Sequence, residues 1–175
     1  MRYASIRSMD ISNGEGVGIS LFVQGCRFCC SNCFNKDTWD FNGGKEWTPE
    51  IEDKFIELAN RPYIKRISIL GGEPLADENL DGVLNLINKI RLSCPNKTIW
   101  LYTGYSFENT IEPKNTKLNM SHVIRATIAK MCDVIIDGRY IDSQRDITLK
   151  WCGSSNQRVI DVKKSLEEGK IILWD

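Results

Sequence analysis

The chain has 175 residues, 42% apolar and 26% charged, with a formal net charge of zero. That length suits one well-packed domain better than two, so residues 1–175 are expected to form a single domain. Balanced charge leaves no broad basic field for nucleic acid, the first seven residues lack the apolar core of a signal peptide, and no apolar run reaches a membrane span; the expectation is a cytoplasmic protein with no nucleic-acid and no membrane partner.

Tyr3 to Asp10 reads as a first strand, followed by the turn residues Asn13-Gly14-Glu15-Gly16. Val17 to Val23 reads as a buried strand that delivers Gly25-Cys26-Arg27-Phe28-Cys29-Cys30-Ser31-Asn32-Cys33-Phe34-Asn35 at its C-terminal end. Asn42-Gly43-Gly44 breaks the chain again. Thr48-Pro49-Glu50 carries the capping hydroxyl, first-turn proline and N-terminal acid of a helix start, and Ile51, Phe55, Leu58 and Ala59 recur at helical spacing up to Arg61-Pro62. Ile64 to Leu70 is the next strand, and Gly71-Gly72-Glu73-Pro74-Leu75 follows it at once. Leu80, Val83, Leu84, Ile87 and Ile90 then share one face of an amphipathic helix. Lys97 to Tyr102 is a strand ending in Thr103-Gly104-Tyr105, and the polar stretch 106–118 is expected to be a weak helix or loop. Ser121 to Met131 reads as a helix with Ser121 as its cap, and Asp133 to Ile136 as a strand ending in Asp137-Gly138-Arg139. Arg158 to Val162 and Ile171 to Trp174 are short terminal strand candidates.

Strand, unusual motif and helix repeat at least three times, which argues for an α/β fold with a parallel sheet and helical crossovers. Chemistry in such folds collects at the C-terminal ends of the strands. The cysteine loop, Gly71 to Pro74, Thr103 to Tyr105 and Asp137 to Arg139 all fall there.

Four of the seven cysteines lie within eight residues. Thiols so close on a short loop point to metal, because near neighbours do not easily reach disulfide geometry. Cys26, Cys30 and Cys33 read as C-x3-C-x2-C, three ligands for a four-iron cluster with one iron left open; C-x2-C-x3-C through Cys29 fits the spacing as well. An open iron resembles the free position of a catalytic metal site. A reactive cysteine patch, or a small electron-transfer or zinc module, is the competing reading. The two glycines of Gly71-Gly72-Glu73-Pro74 let backbone approach a ligand and offer carbonyls to its ammonium group, while Pro74 fixes the exit. Such pairs are common in plain turns; this one gains meaning by following the cysteines by about 40 residues on the next strand. The one histidine, His122, sits near a helix start away from any cysteine and reads as structural, so a mechanism without a histidine base is preferred. Cys94, Cys132 and Cys152 read as structural thiols.

Together the cysteine loop and Gly71 to Pro74 resemble the radical S-adenosylmethionine superfamily. Cys33-Phe34-Asn35-Lys36-Asp37-Thr38-Trp39 is similar to the activating enzymes of glycyl-radical enzymes. Asp10-Ile11-Ser12-Asn13-Gly14, Trp100-Leu101-Tyr102-Thr103-Gly104-Tyr105, Val134-Ile135-Ile136-Asp137-Gly138 and Trp151-Cys152-Gly153-Ser154-Ser155-Asn156-Gln157 narrow the resemblance to activators of anaerobic ribonucleoside-triphosphate reductase, over about residues 3 to 160. The resemblance implies a partial, open (β/α) barrel holding one 4Fe-4S cluster on Cys26, Cys30 and Cys33. S-adenosylmethionine would chelate the open iron, with its ammonium end received by Gly71, Gly72 and Glu73. Asn32 and Phe34 would flank the adenosyl moiety, Asn35 would line the pocket, and Asp137 and Arg139 would contact the cofactor or a bound cation. No side chain would be catalytic beyond cluster and cofactor. The protein substrate would be the anaerobic reductase, giving up a hydrogen atom from a glycine near its C-terminus. Electrons would come from a low-potential donor such as reduced flavodoxin, and the activator could form a homodimer. The superfamily commonly carries an aromatic residue just before the third cysteine, and Asn32 stands there. A closed eight-unit barrel takes about 250 residues, so the shorter chain suits an open mouth that admits a loop of another protein. An activase of the formate-lyase type is the runner-up; Trp151 to Gln157 favours the reductase activator.

Overall fold

In the computed structural model, which describes residues 1–113 and 119–175, one sheet runs through the described chain. Its strands are β1 (Arg2–Asp10), β2 (Gly18–Val23), β3 (Lys45–Glu46), β4 (Arg66–Gly71), β5 (Thr98–Tyr102), β6 (Val134–Asp137) and β7 (Arg158–Asp161). The helices are α1 (Pro49–Ala59), α2 (Leu80–Ser93), α3 (Phe107–Ile111), α4 (Met120–Met131) and α5 (Val162–Glu168). The strand order is β3-β1-β2-β4-β5-β6-β7. Neighbours from β2 to β6 are parallel, as expected for strands joined by helical crossovers. The two flanks differ from the parallel expectation: β1 is antiparallel to β2 and to β3, and β7 is antiparallel to β6. The reason lies in the connections. β1 and β2 are joined by a short turn, and residues 138–157 contain no α-helix to carry the chain back across the sheet. The sheet is open, not closed into a ring.

The two faces of the sheet are covered differently. Ile19, Leu21, Val23, Ile67, Ile69, Ile99, Leu101 and Ile135 face the helices and pack with Phe55, Leu86, Ile87, Ile90 and Ile128 into the main core. The alternate residues face the other way, as the two-residue period of a strand demands. There Trp100, Val134 and Ile136 meet Trp151 and Trp174, with polar Ser20, Arg66 and Ser68 fully buried beside them. Arg66 organises this second layer. Its guanidinium donates to the carbonyls of Asp10 and Asn13, both at 2.7 Å, and lies 3.5 Å from the Asp10 carboxylate. Asp10 in turn accepts from the Ser12 and Asn13 amides. The segment Asp10-Ile11-Ser12-Asn13-Gly14 is thus a turn wrapped on a buried arginine.

Local signals explain most element ends. Thr48 caps α1, its hydroxyl accepting from Ile51, with Pro49 in the first turn. For α4 the cap is Asn119, not Ser121: the Asn119 side chain accepts from the His122 amide at 3.0 Å, and His122 Nδ1 accepts in return from the Asn119 amide. His122 is therefore part of a helix cap. Of the polar stretch 106–118, residues 107–111 form α3, and 114–118 lie outside the described residues. Residues 171–174 form only a single bridge, Leu173 to Ile160, instead of a strand. No helix among the described residues is long and apolar enough to cross a membrane.

Candidate metal and cofactor site

Behind β2 the chain forms a loop that closes on its own backbone. Gln24, which is buried, donates from Nε2 to the carbonyls of Asp37 and Asp40 at 3.1 and 2.8 Å. The Gly25 and Cys26 amides donate to Thr38 and Trp39 at 2.7 and 3.0 Å. This tether holds Cys26, Cys30 and Cys33 on the wall of an open cavity of about 490 Å³. Cys29 adopts a φ of +46°, is exposed, and is not on the cavity wall. The spacing leaves Cys29 and Cys30 equivalent; the left-handed turn sends Cys29 to solvent.

Burial pushes the Cys26 thiol up to about 11, against hydrogen bonds from Phe28 that pull it down. Burial, with the neighbouring Cys33 thiol, also raises Cys30. Thiols that share a half-buried wall stay protonated until a cation compensates their charge, so metal loading must expel their protons. The Asn35 amide points at Cys33 Sγ, 3.4 Å away, ready to donate to a thiolate. Among the described residues no three His, Cys, Asp or Glu side chains converge as a single ion requires. A cluster takes one thiolate per iron, and three cavity-facing thiols with an amide donor beside Cys33 suit that demand.

The Gly71–Pro74 turn meets this loop directly. The Gly72 amide donates to Val23 at 2.8 Å and the Glu73 amide to Gly25 at 2.7 Å. A Cβ on Gly72 would lie 2.4 Å from the Gly25 carbonyl oxygen, so the glycine admits the cysteine loop's own backbone. The Glu73 carboxylate is buried and accepts from the Leu75 amide, the Thr103 hydroxyl and the Gly104 amide, each at 2.8 Å. Burial nonetheless pushes it up to about 7. The Glu73 carbonyl accepts from Ala76 and from Asn79 Nδ2. Glu73 therefore fastens the end of β5 to the turn, while Gly71 and Gly72 line the cavity beside it.

Phe34, Asn35 and Arg139 also line the cavity, and the Arg139 guanidinium lies 4.2 Å above the Phe28 ring. Asn32 and Asp137 do not line it. Asn32 is exposed and donates to Asp142 at 2.8 Å. Asp137 is buried and accepts from the Phe107 amide at 2.8 Å and from Arg158 Nε at 3.0 Å. Sequence reasoning missed Arg7, Phe28, Tyr102 and Cys152, all on the cavity wall. Cys152 was expected to be structural like Cys94 and Cys132, which are buried. The signal for Tyr102 was available: it shares a strand face with Trp100, one step nearer the C-terminal end.

Comparison with known proteins gives the same picture. Residues 12–160 match the family described as a 4Fe-4S single cluster domain. The anaerobic ribonucleoside-triphosphate reductase-activating protein of Salmonella typhimurium is 38% identical over 161 residues, covering 91% of this chain and 97% of that protein. The protein of that name from Vibrio cholerae is 36% identical over 90% of this chain and 96% of its own length. That of Enterobacteria phage T4 is 33% identical over 91% and 93%. A loop of cavity-facing cysteines, the glycine turn locked against it, and similarity along nearly the whole chain lead to one family: this protein belongs with the anaerobic ribonucleoside-triphosphate reductase-activating proteins, in the 4Fe-4S single cluster domain family.

Proposed function

We propose that the chain is a radical S-adenosylmethionine enzyme, a single domain built as a partial, open (β/α) barrel, that generates a glycyl radical on an anaerobic ribonucleoside-triphosphate reductase. One observation carries this reading: the cysteine loop and the Gly71–Glu73 turn share one cavity at the C-terminal ends of parallel strands β2 and β4. Bound there, a 4Fe-4S cluster and S-adenosylmethionine supply reductive cleavage of the sulfonium and a 5′-deoxyadenosyl radical able to remove a hydrogen atom.

The chain's own residues bind and orient. Cys26, Cys30 and Cys33 hold the cluster, and the Asn35 amide supports the Cys33 thiolate. Gly71 and Gly72 receive the ammonium group of the cofactor. Glu73 keeps the turn in shape, since its carbonyl and carboxylate already accept from protein donors. Phe34 and Asn35 stand beside the adenosyl moiety, and Arg139, stacked on Phe28 of the cysteine loop, lines the same cavity. The sheet is not closed and the cavity is open to solvent, which suits entry of a segment of a folded protein, and hydrogen transfer needs that segment in near contact.

Anaerobic reconstitution with iron and sulfide, followed by reduction, tests the reading. The expected result is 5′-deoxyadenosine from S-adenosylmethionine, and a glycine-centred doublet in electron paramagnetic resonance once the cognate reductase is added. A colourless protein that binds zinc and forms no 5′-deoxyadenosine would sink it.

A further inference from the structure

Trp151, Cys152, Gly153 and Gln157 line the cavity, and the polar side chains of the segment Trp151 to Gln157 are almost fully engaged. Gln157 Oε1 accepts from the Gly153 and Ser154 amides at 2.8 and 3.2 Å, and its Nε2 donates to the Gly138 carbonyl at 2.9 Å. Asn156 Nδ2 donates to the Arg139 carbonyl at 2.8 Å. The hydroxyl of Ser154, a fully buried residue, accepts from the Ile141 amide at 3.1 Å. Residue 145 forms a bridge with Ser154, and the Ser155 amide donates to Gln144 at 2.9 Å. Every one of these bonds lands on the backbone of residues 138–154. The segment is a brace, and what it braces is the lip of residues 139–150 along one side of the cavity mouth.

That lip is apolar where it meets the mouth. Ile147 lines the cavity yet is 84% exposed, and Leu149 lines it half-buried beside it. Phe34, 63% exposed, continues the apolar rim on the cysteine side, with Arg145 5.3 Å above its ring. The lip's carboxylates are occupied within the protein. Asp142 accepts from Tyr140 and Asn32, both at 2.8 Å, and Asp146 from the Thr148 amide and hydroxyl at 2.8 and 2.6 Å. A large aliphatic side chain held in water at a cavity mouth is a contact surface awaiting cover. With the nearby acids already satisfied and Arg139, Arg145 and Lys150 on the same stretch, the surface disfavours a basic segment.

We propose that the lip is the docking surface for the reductase segment that carries the reacting glycine, with Ile147 as the anchor for an apolar side chain near that glycine. The inference rests on the function proposed above. The patch is continuous with the cavity that this segment must enter, which favours the reductase over a second copy of the chain as its occupant.

Binding of the full-length protein to its cognate reductase is the primary readout, so that the lip is tested even where turnover fails. Ile147→Asp is expected to weaken binding by about 10-fold or more, and Ile147→Val by no more than about 2-fold. Ile147→Asp should raise the reductase concentration for half-maximal activation by a similar factor, with 5′-deoxyadenosine formed in the absence of reductase unchanged. Wild-type binding affinity in Ile147→Asp would overturn the proposal. So would loss of self-association with reductase binding intact, which would give the lip to a second copy. Loss of partner-free cleavage in step with activation would assign Ile147 to the cofactor site instead. A wild-type protein that binds reductase but forms no 5′-deoxyadenosine would defeat the proposed function and leave the binding comparison standing.

Discussion

With its φ of +46°, Cys29 turns the loop so that the next thiol, that of Cys30, lies on the cavity wall. Cys30→Ala is expected to lose the iron–sulfur absorbance and S-adenosylmethionine cleavage. Cys29→Ala should keep both, and because the side chain is exposed its unfolding free energy should move by no more than about 0.5 kcal/mol. The reverse pattern, read from absorbance after reconstitution, would exchange the two roles. Spacing could narrow the ligand to this pair and no further, since the choice depends on one backbone angle. Glu73 gives a second test at this scale. Burial raises its carboxyl from an ordinary 4.5 to about 7 in the folded chain. Between those values the folded state holds the proton more firmly than the unfolded state, so this group's contribution to stability is full below about pH 4.5 and is lost as pH rises through about 7. Urea unfolding of the apoprotein should therefore show a component of roughly 3 kcal/mol declining across that window. In Glu73→Gln that component should be absent.

Turns between elements carry the next set of consequences. Gly72→Ala would press a methyl group onto the Gly25 backbone, where neither partner is a side chain that can swing aside. The expected cost is about 1–3 kcal/mol, together with poorer iron retention because the displaced segment is the cysteine loop. Equilibrium unfolding and iron content measured on the same sample check both. Arg66→Met should cost about 3–5 kcal/mol, because it leaves the buried Asp10 carboxylate with only the exposed Arg7 guanidinium 3.9 Å away and leaves two carbonyls without their donor. A loss within 1 kcal/mol, by the same unfolding measurement, would show that the turn at Asp10 does not depend on that charge. These positions also mark how far the sequence could be read. Apolar runs and strong caps made β2, β4, β5, β6, α1 and α2 legible, because their signals are local. β3 was not legible: its two residues are a strand only through pairing with Arg2 and Tyr3, more than 40 positions away. Asp161 and Gly169, the cap and the left-handed stop of α5, are ordinary local signals that a strand reading of 158–162 obscured. The antiparallel turn of β7 could have been inferred from the missing helix between 138 and 157. A fully buried arginine in β4 could not, since nothing near it in sequence announces its acceptors.

At the scale of the molecule, the helices that join the parallel strands pack against one face of the sheet, and the site opens from the other. The cysteine loop, the glycine turn and the end of β5 come from three separate crossovers, which is why the sequence could name the first two motifs but not show how they touch. They touch through backbone at Gly72 to Val23 and Glu73 to Gly25, and through the Glu73 carboxylate, which accepts from the Gly104 amide. None of those bonds involves a cysteine side chain. The floor of the cup is therefore expected to stand without iron, so that cofactor assembly fills a formed vessel without having to shape it. Hydrogen exchange can see this difference. In the metal-free protein the amides of Gly72, Glu73 and Gly104 should already exchange as slowly as those of the neighbouring strands, and loading should barely change them. Protection gained on loading should be confined to residues 27–34, where the thiols are first tied down. A metal-free protein in which Gly72 and Glu73 exchange at solvent rates would mean that iron builds the vessel it occupies.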